Sequence, residues 1–173
     1  MRQYILHITL SLAIAFIAIS SVSYAQMKIA ILPYSNLDGN FDLNQYCYQL
    51  QDSLTKAFDA IDPEHQKIVV IPVSTVNAAL TAQGIDANTP TFDTDKWNIV
   101  PALQVDRIIS GNFRITSKRF LINSYIYYPD NQMQDPDFRA KDIFKKEEAI
   151  FDAIPMIVRQ LSKAFGITPP ETE

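Results

Sequence analysis

Cysteine is nearly absent from this chain of 173 residues: Cys47 is the only one, so no intramolecular disulfide can form. Histidine is almost as scarce, at His7 and His65, which leaves too few soft ligands for a zinc site. The chain has four glycines, and none builds the G-x-G-x-x-G or P-loop fingerprints that cradle phosphates. Positive charge is not in excess. Fifteen Lys and Arg stand against nineteen Asp and Glu, for a net charge of −4, and no basic run tracks a phosphate backbone. Nucleic acid is therefore excluded as a partner class. No basic amphipathic helix points to a membrane surface. Apolar runs of about 20 residues, the length that spans a bilayer, are missing too.

What is present begins with the first 25 residues. Arg2 opens them, an apolar segment runs from Ile5 to Ile19, and Ser23-Tyr24-Ala25 offers small residues ahead of a cut before Gln26. This is the layout of a cleaved secretory signal peptide. A lipoprotein would need cysteine directly after the cut, where Gln26 stands. The expectation is an exported, soluble periplasmic protein without a lipid anchor and without an integral membrane segment after cleavage. Cleavage removes Arg2 and His7, which leaves His65 as the only histidine. The rest reads as one domain over 26–166 with a polar tail at 167–173.

Along that domain, Lys28–Leu32 is a short apolar run closed by Pro33, as expected of a buried strand. A turn-rich loop follows from Ser35 to Asn40. Leu43, Cys47, Leu50, Leu54, Phe58 and Ile61 then recur at helical spacing and put Cys47 on an apolar stripe, a buried rather than reactive thiol. Lys67–Pro72 is a second buried strand. Ser74 is an N-cap candidate for a short helix with Val76, Ala79 and Leu80 inward and Gly84 past its end. Asp86–Asp95 reads as loop, and Trp97, Val100 and Leu103 as a short helical segment interrupted by Pro101.

Arg107–Ile115 and Phe120–Tyr128 alternate in period two across the turn Thr116–Lys118, which predicts an antiparallel hairpin. Pro129–Asp137 reads as loop with a short edge strand near Gln132–Gln134. A final helix over Ala140–Phe165, kinked or broken at Pro155 and capped by Gly166, carries the charge run Lys145–Glu148. The order β-α-β-α-β-β-(β)-α predicts an α/β three-layer sandwich with a mixed sheet.

Catalytic constellations are not legible. His65 lies in the polar stretch Asp62-Pro63-Glu64-His65, where a solvated histidine is the plainer reading than a hydrolase base. The acidic loop Asp130–Asp137 lacks EF-hand spacing. No catalytic residue, metal ligand or cofactor site is assigned. Two surfaces remain as contact candidates. One is the loop Asn36–Phe41 at the carboxyl end of the first strand, with Asn36, Asp38, Asn40 and Phe41, where open α/β sheets bind ligands. A plain polar connection is its competing reading. The other is the hairpin face around Arg114, Arg119, Tyr125 and Tyr127, residue types that carry protein interfaces. Burial beneath the final helix competes for the two tyrosines.

Ile29-Ala30-Ile31-Leu32-Pro33-Tyr34-Ser35-Asn36-Leu37 resembles the I-A-V-L-P-F-x-N-L opening of TolB N-terminal-domain-like proteins and their CsgG-like relatives. Val73–Ile85 is similar to the CsgG-like helix ending in L-x-x-Q-G. Ala102–Phe113 resembles the A-x-x-L-G-V-D-Y-V-L-x-G-S-V step into a hairpin, and Asp142-Ile143-Phe144 the D-I-F-x-x-Q pattern. The resemblance implies an anticodon-binding-domain-like fold, as in TolB N-terminal domains. It also implies a non-enzymatic role in protein contacts of the bacterial envelope, accessory to assembly, transport or secretion. The chain has neither TolB's propeller nor the lipidated cysteine and membrane hairpins of CsgG-like pores. A periplasmic small-ligand-binding domain is the alternative. The partner would be an envelope protein, and homo-oligomerisation is left open.

Overall fold

The computed structural model describes residues 26–169. The leader over 1–25 and the tail end at 170–173 lie outside the described residues. Strand β1 (Met27–Ile31) is central: Ile29, Ala30 and Ile31 are buried on both of its faces. That explains the unbroken apolar run, since a parallel strand covered on both sides need not alternate. Parallel to it lie β3 (Ile68–Val70) on one side and β4 (Arg107–Thr116) on the other. Strand β5 (Arg119–Tyr127) returns antiparallel to β4, and β6 (Gln134–Lys145) pairs antiparallel to β5. The order is β3-β1-β4-β5-β6, with the two-residue β2 (Ser35–Asn36) laid against β4 beyond the end of β1.

Helix α1 (Gln45–Ile61) connects β1 to β3 and buries Cys47, Leu50, Leu54 and Phe58, the predicted stripe. Helix α2 (Val73–Ala82), the helical turns α3 (Phe92–Asp95) and α4 (Val100–Leu103), and a 3-10 turn between them lead from β3 to β4. The first crossover moves from β1 out to β3 and the second returns from β3 past β1 to β4, so right-handed connections in opposite directions set their helices on opposite faces of the sheet. This gives the mixed-sheet α/β architecture that the sequence predicts.

The β4–β5 turn is two residues, Ser117 and Lys118, both left-handed at φ 51° and 60°. That is the turn geometry matching the twist of the paired strands, reached here without glycine. Gly84, at φ 66°, ends α2: Ile85 N donates to the Leu80 carbonyl at 2.9 Å and Gly84 N to that of Thr81 at 3.0 Å, closing a Schellman motif. Ser74 is not the N-cap. Pro72 holds that place, its carbonyl accepting from Thr75 and Val76, because its fixed φ already aims the chain into the helix. Part of the predicted 86–95 loop is helical, since Phe92 is buried and draws α3 onto the sheet.

The predicted final helix needs the largest correction. Residues Ala140–Lys145 are the second half of β6, and the helical region begins with a 3-10 turn at Glu147 and becomes α5 over Ile154–Leu161. A bulge misleads the periodicity: Ala140 pairs with Ser124 and Ile143 with Ile122, so β6 spends three steps where β5 spends two. Ala140 and Ile143 therefore both face inward, at a spacing that mimics a helix. Pro155 marks a break rather than a kink: it lies in the first turn of α5, directly after the 3-10 turn, where a missing N–H costs nothing. The charge run Lys145–Glu148 straddles the end of β6 and the 3-10 turn, with Lys146 3.7 Å from Glu148. Ile167, placed in the tail by the sequence, is buried against the core.

Cys47 is fully buried, and burial pushes its thiol up to about 11. A maleimide reagent is expected to leave the folded chain unlabelled and to modify Cys47 only in denaturant. Rapid labelling under native conditions would contradict this packing. Above Cys47, Tyr34 is also fully buried, with its hydroxyl 2.5 Å from Ser124 Oγ and its ring lying directly on Gly111.

Candidate interface on the open sheet face

Strand alternation divides the β4–β6 side chains between two faces. On the inner face Ile109 is opposite Ile126, Gly111 opposite Ser124, and Phe113 opposite Ile122. These are buried in the core that also takes Ile157, Val158 and Leu161 of α5. The outer face is set by the intervening residues. Arg114 is opposite Leu121, which is opposite Phe144; Asn112 is opposite Asn123; Ser110 is opposite Tyr125, which is opposite Arg139. Asn36 pairs with Phe113 and Leu37 N donates to the Phe113 carbonyl, so the same register sets Leu37 beside Arg114.

A row therefore crosses four strands: Leu37, Arg114, Leu121 and Phe144. Leu37 is 52% exposed and Phe144 41%, while Leu121 is held between neighbours and buried. The Arg119 guanidinium lies over the Phe144 ring at 5.9 Å and donates to the Phe144 carbonyl at 3.2 Å. Beside this row Asn123 donates to Asn112 at 3.1 Å, and Asp142 N, at the bulge, donates to Asn123 at 2.9 Å. An arginine fork held over an aromatic ring, beside exposed leucine and phenylalanine, forms a surface of the kind that anchors a protein partner.

The structure brings Arg114, Arg119, Tyr125 and Tyr127 to this one face. The tyrosines are not beneath the final helix, because α5 belongs to the other side of the sheet. Tyr127 is instead covered by the chain between α3 and α4: its ring meets Trp97 edge-on at 5.2 Å and Tyr125 at 6.2 Å. Burial pushes the Tyr127 hydroxyl up to about 12. Tyr125 is only half-buried, and burial, with Asp142 nearby, raises it less.

In the loop, Asn36 donates to the Asn40 carbonyl and to Asn44 and accepts from Asp38 N. Asn40 accepts from Asp42 N to cap the 3-10 turn Phe41–Leu43. The Asp38 carboxylate accepts from Ile115 N at the end of β4. These three polar side chains thus hold the loop in shape. Phe41 is different: it is 80% exposed, and with Asn36 and Gly39 it borders a cavity of about 360 Å³ whose far wall is Asn88, Pro90 and Phe92.

Sequence reading places Leu37 only within the candidate loop, not on the hairpin face, and misses Phe144 and the pair Asp93–Lys96. Lys96 is 5% exposed, and its Nζ donates to Asp93 Oδ1 at 2.8 Å and to Ser110 Oγ at 3.1 Å. Ser35 Oγ donates to the same Asp93 oxygen at 2.6 Å. Burial opposes the charge of Asp93, but the hydrogen bonds from Lys96 and Ser35 and the Lys96 charge outweigh it and hold the carboxyl below its ordinary value. This pair straps α3 to β2 and β4, and with Trp97, Asn112 and Tyr127 it lines a second cavity of about 290 Å³. The available signal was Phe92-Asp93-Thr94-Asp95-Lys96-Trp97: an i,i+3 ion pair between two aromatics.

His65 sits in the loop after α1 with its side chain 45% exposed, 3.9 Å from the Asp59 carboxylate, and lines neither cavity. Among the described residues no cluster of three or more His, Cys, Asp or Glu could hold a metal, and no helix is long and apolar enough to cross a membrane.

No protein-family model and no curated protein matches the sequence. Solved structures do match in fold. E. coli LpoB, determined by NMR, superposes with a TM-score of 0.50 at 8% identity, over 71% of this chain and 59% of that one. The LpoB C-terminal domain from Salmonella enterica gives 0.45 at 9% identity, over 77% of this chain and 91% of that domain. TolB from Acinetobacter baumannii gives 0.42 at 15% identity, over 87% of this chain and 31% of TolB. At these identities the likeness is one of fold alone: an open, mixed α/β sheet.

Proposed function

We propose that this chain is an exported, non-enzymatic α/β domain of the bacterial cell envelope that makes protein–protein contacts, accessory to envelope assembly, transport or secretion. The leader-like segment 1–25 supports the location. The observation that carries the reading is the outer row Leu37–Arg114–Leu121–Phe144, where apolar and guanidinium groups lie on a sheet that leaves Leu37 and Phe144 in solvent. Flat, partly apolar surfaces of this kind are hidden in a complex. Co-purification from the envelope fraction tests it. Wild-type protein is expected to recover a defined partner, and the double variant Leu37→Ser/Phe144→Ser to fold normally and recover at least 10-fold less. Equal recovery by both would place the contact elsewhere.

A second reading draws on the cavity of about 360 Å³ beside Phe41, within the size range of small-ligand sites. Thermal-shift screening against nucleotides, sugars and peptidoglycan fragments separates the two. Under the protein-contact reading no compound moves the melting temperature, whereas a resident ligand at saturating concentration raises it by several degrees.

A further inference from the structure

The outer face is not only apolar. Among the described residues the ion pairs are Lys56–Asp52, His65–Asp59, Lys96–Asp93 and Lys146–Glu148, and none of them involves Arg114, Arg119 or Arg139. All three arginines are exposed on this one face. Arg119 is two residues from Leu121, the cross-strand neighbour of Arg114, a diagonal separation of about 7 Å. Arg139 is opposite Tyr125, four residues further along β5 and so about 13 Å away. Acidic groups near the face are already engaged or at its rim: the Asp38 carboxylate accepts from Ile115 N, and Asp142 lies at the β6 bulge beside Tyr125. A chain with net charge −4 has carboxylates to spare, yet it leaves these guanidinium groups without them.

From this we infer that the partner presents an acidic segment, with Asp or Glu side chains on either side of an apolar anchor, to the Arg114–Arg119–Arg139 face. The inference rests on the protein-contact reading above. Guanidinium forks pair with carboxylates in bidentate geometry, and the exposed Leu37 and Phe144, at the two ends of the row, offer apolar area beside the charges. The overall negative charge does not forbid this, because repulsion from charges beyond about 8 Å is screened at physiological salt. An anionic lipid surface fits less well, since such surfaces are held by clusters of roughly four to eight basic residues. A symmetric pair of copies would bring arginine against arginine, which is repulsive.

The test places a photoreactive phenylalanine analogue at position 144 of the full chain and crosslinks it in the cells that make it. The adduct is expected to map to a partner peptide containing Asp or Glu. Its yield should fall at least 10-fold in the Arg114→Glu/Arg139→Glu variant and less in Arg114→Gln/Arg139→Gln, with unchanged melting temperatures. An undiminished yield, or a partner peptide without carboxylates, would overturn the acidic assignment and leave the protein-contact reading standing. No adduct from the wild-type chain would overturn both. Adducts solely with a second copy, or binding to phosphatidylglycerol vesicles that the charge reversal abolishes, would replace the acidic partner with self-association or lipid.

Discussion

Replacing Gly111 with alanine is expected to leave the protein unfolded or nearly so. A Cβ there would lie 2.3 Å from Tyr34 Cε1 and 2.4 Å from the Asn123 carbonyl oxygen. Neither can retreat. Tyr34 is fully buried, its hydroxyl tied to Ser124, and the Asn123 carbonyl belongs to the backbone of β5, paired with β4 on one side and β6 on the other. Overpacking a core by one methyl costs about 1–3 kcal/mol when side chains can adjust, and more when the obstacle is backbone. With a backbone carbonyl and a pinned ring both in the way, the cost exceeds that range and becomes comparable with the about 5 kcal/mol that holds a marginally stable domain folded. Gly39 is the control. It is left-handed at φ 65°, which Gly111 is not, but nothing lies within 4 Å of its Cβ position, so Gly39→Ala should cost only about 1 kcal/mol. Denaturant titration followed by circular dichroism compares the two. Equal midpoints for Gly111→Ala and wild type would show that Tyr34 does not lie where it is described.

Asp93→Ala is expected to cost the next most, about 2–3 kcal/mol. It leaves the Lys96 ammonium, 5% exposed, with only Ser110 to accept from it. Breaking a buried pair costs about 3–5 kcal/mol, and the lower figure follows from the 55% exposure of the Asp93 side chain, which admits solvent screening. Removing both charges, in Asp93→Ala/Lys96→Met, should recover most of the loss, because it leaves no orphaned cation. The pair also carries a pH signature. A carboxyl held below its ordinary value of 3.8 contributes stability that is complete above that value and is lost as pH falls through the lower, folded value. Asp62 and Asp135 are depressed as well: burial opposes their charge, but backbone N–H groups outweigh it, joined at Asp135 by the Tyr128 hydroxyl. Wild-type stability should therefore be flat down to about pH 4 and fall below it, with a shallower fall in Asp93→Asn. Parallel pH profiles for the two proteins would show that Lys96 is not held by Asp93.

The parts of this molecule that were legible are those whose neighbours are local. The α1 stripe from Cys47 to Phe58 and the β4–β5 alternation each repeat with one period over nine or more residues, and each became the element expected. Strand β6 was hidden by its bulge, which gives Ala140 and Ile143 a helical spacing that pairing to β5 alone explains. The interface was half legible. Alternation puts Arg114, Tyr125 and Tyr127 on faces, yet it does not say which face the last helix covers. Leu37 was out of reach for a different reason: its place beside Arg114 depends on β2, two residues within what reads as a loop. Phe144 falls in the stretch whose spacing reads as helix, which points it at the core, whereas in β6 it faces out.

The contact role of the outer face is tested most directly by scanning a photocrosslinking residue around the molecule in living cells. Positions 37, 123 and 144 sample the outer face; 56 and 163 are exposed positions on α1 and in the 3-10 turn after α5. The structure predicts one recurrent adduct from the first three positions and none from the last two. Adducts arising equally from all five, or only from 56 and 163, would contradict a partner on this face.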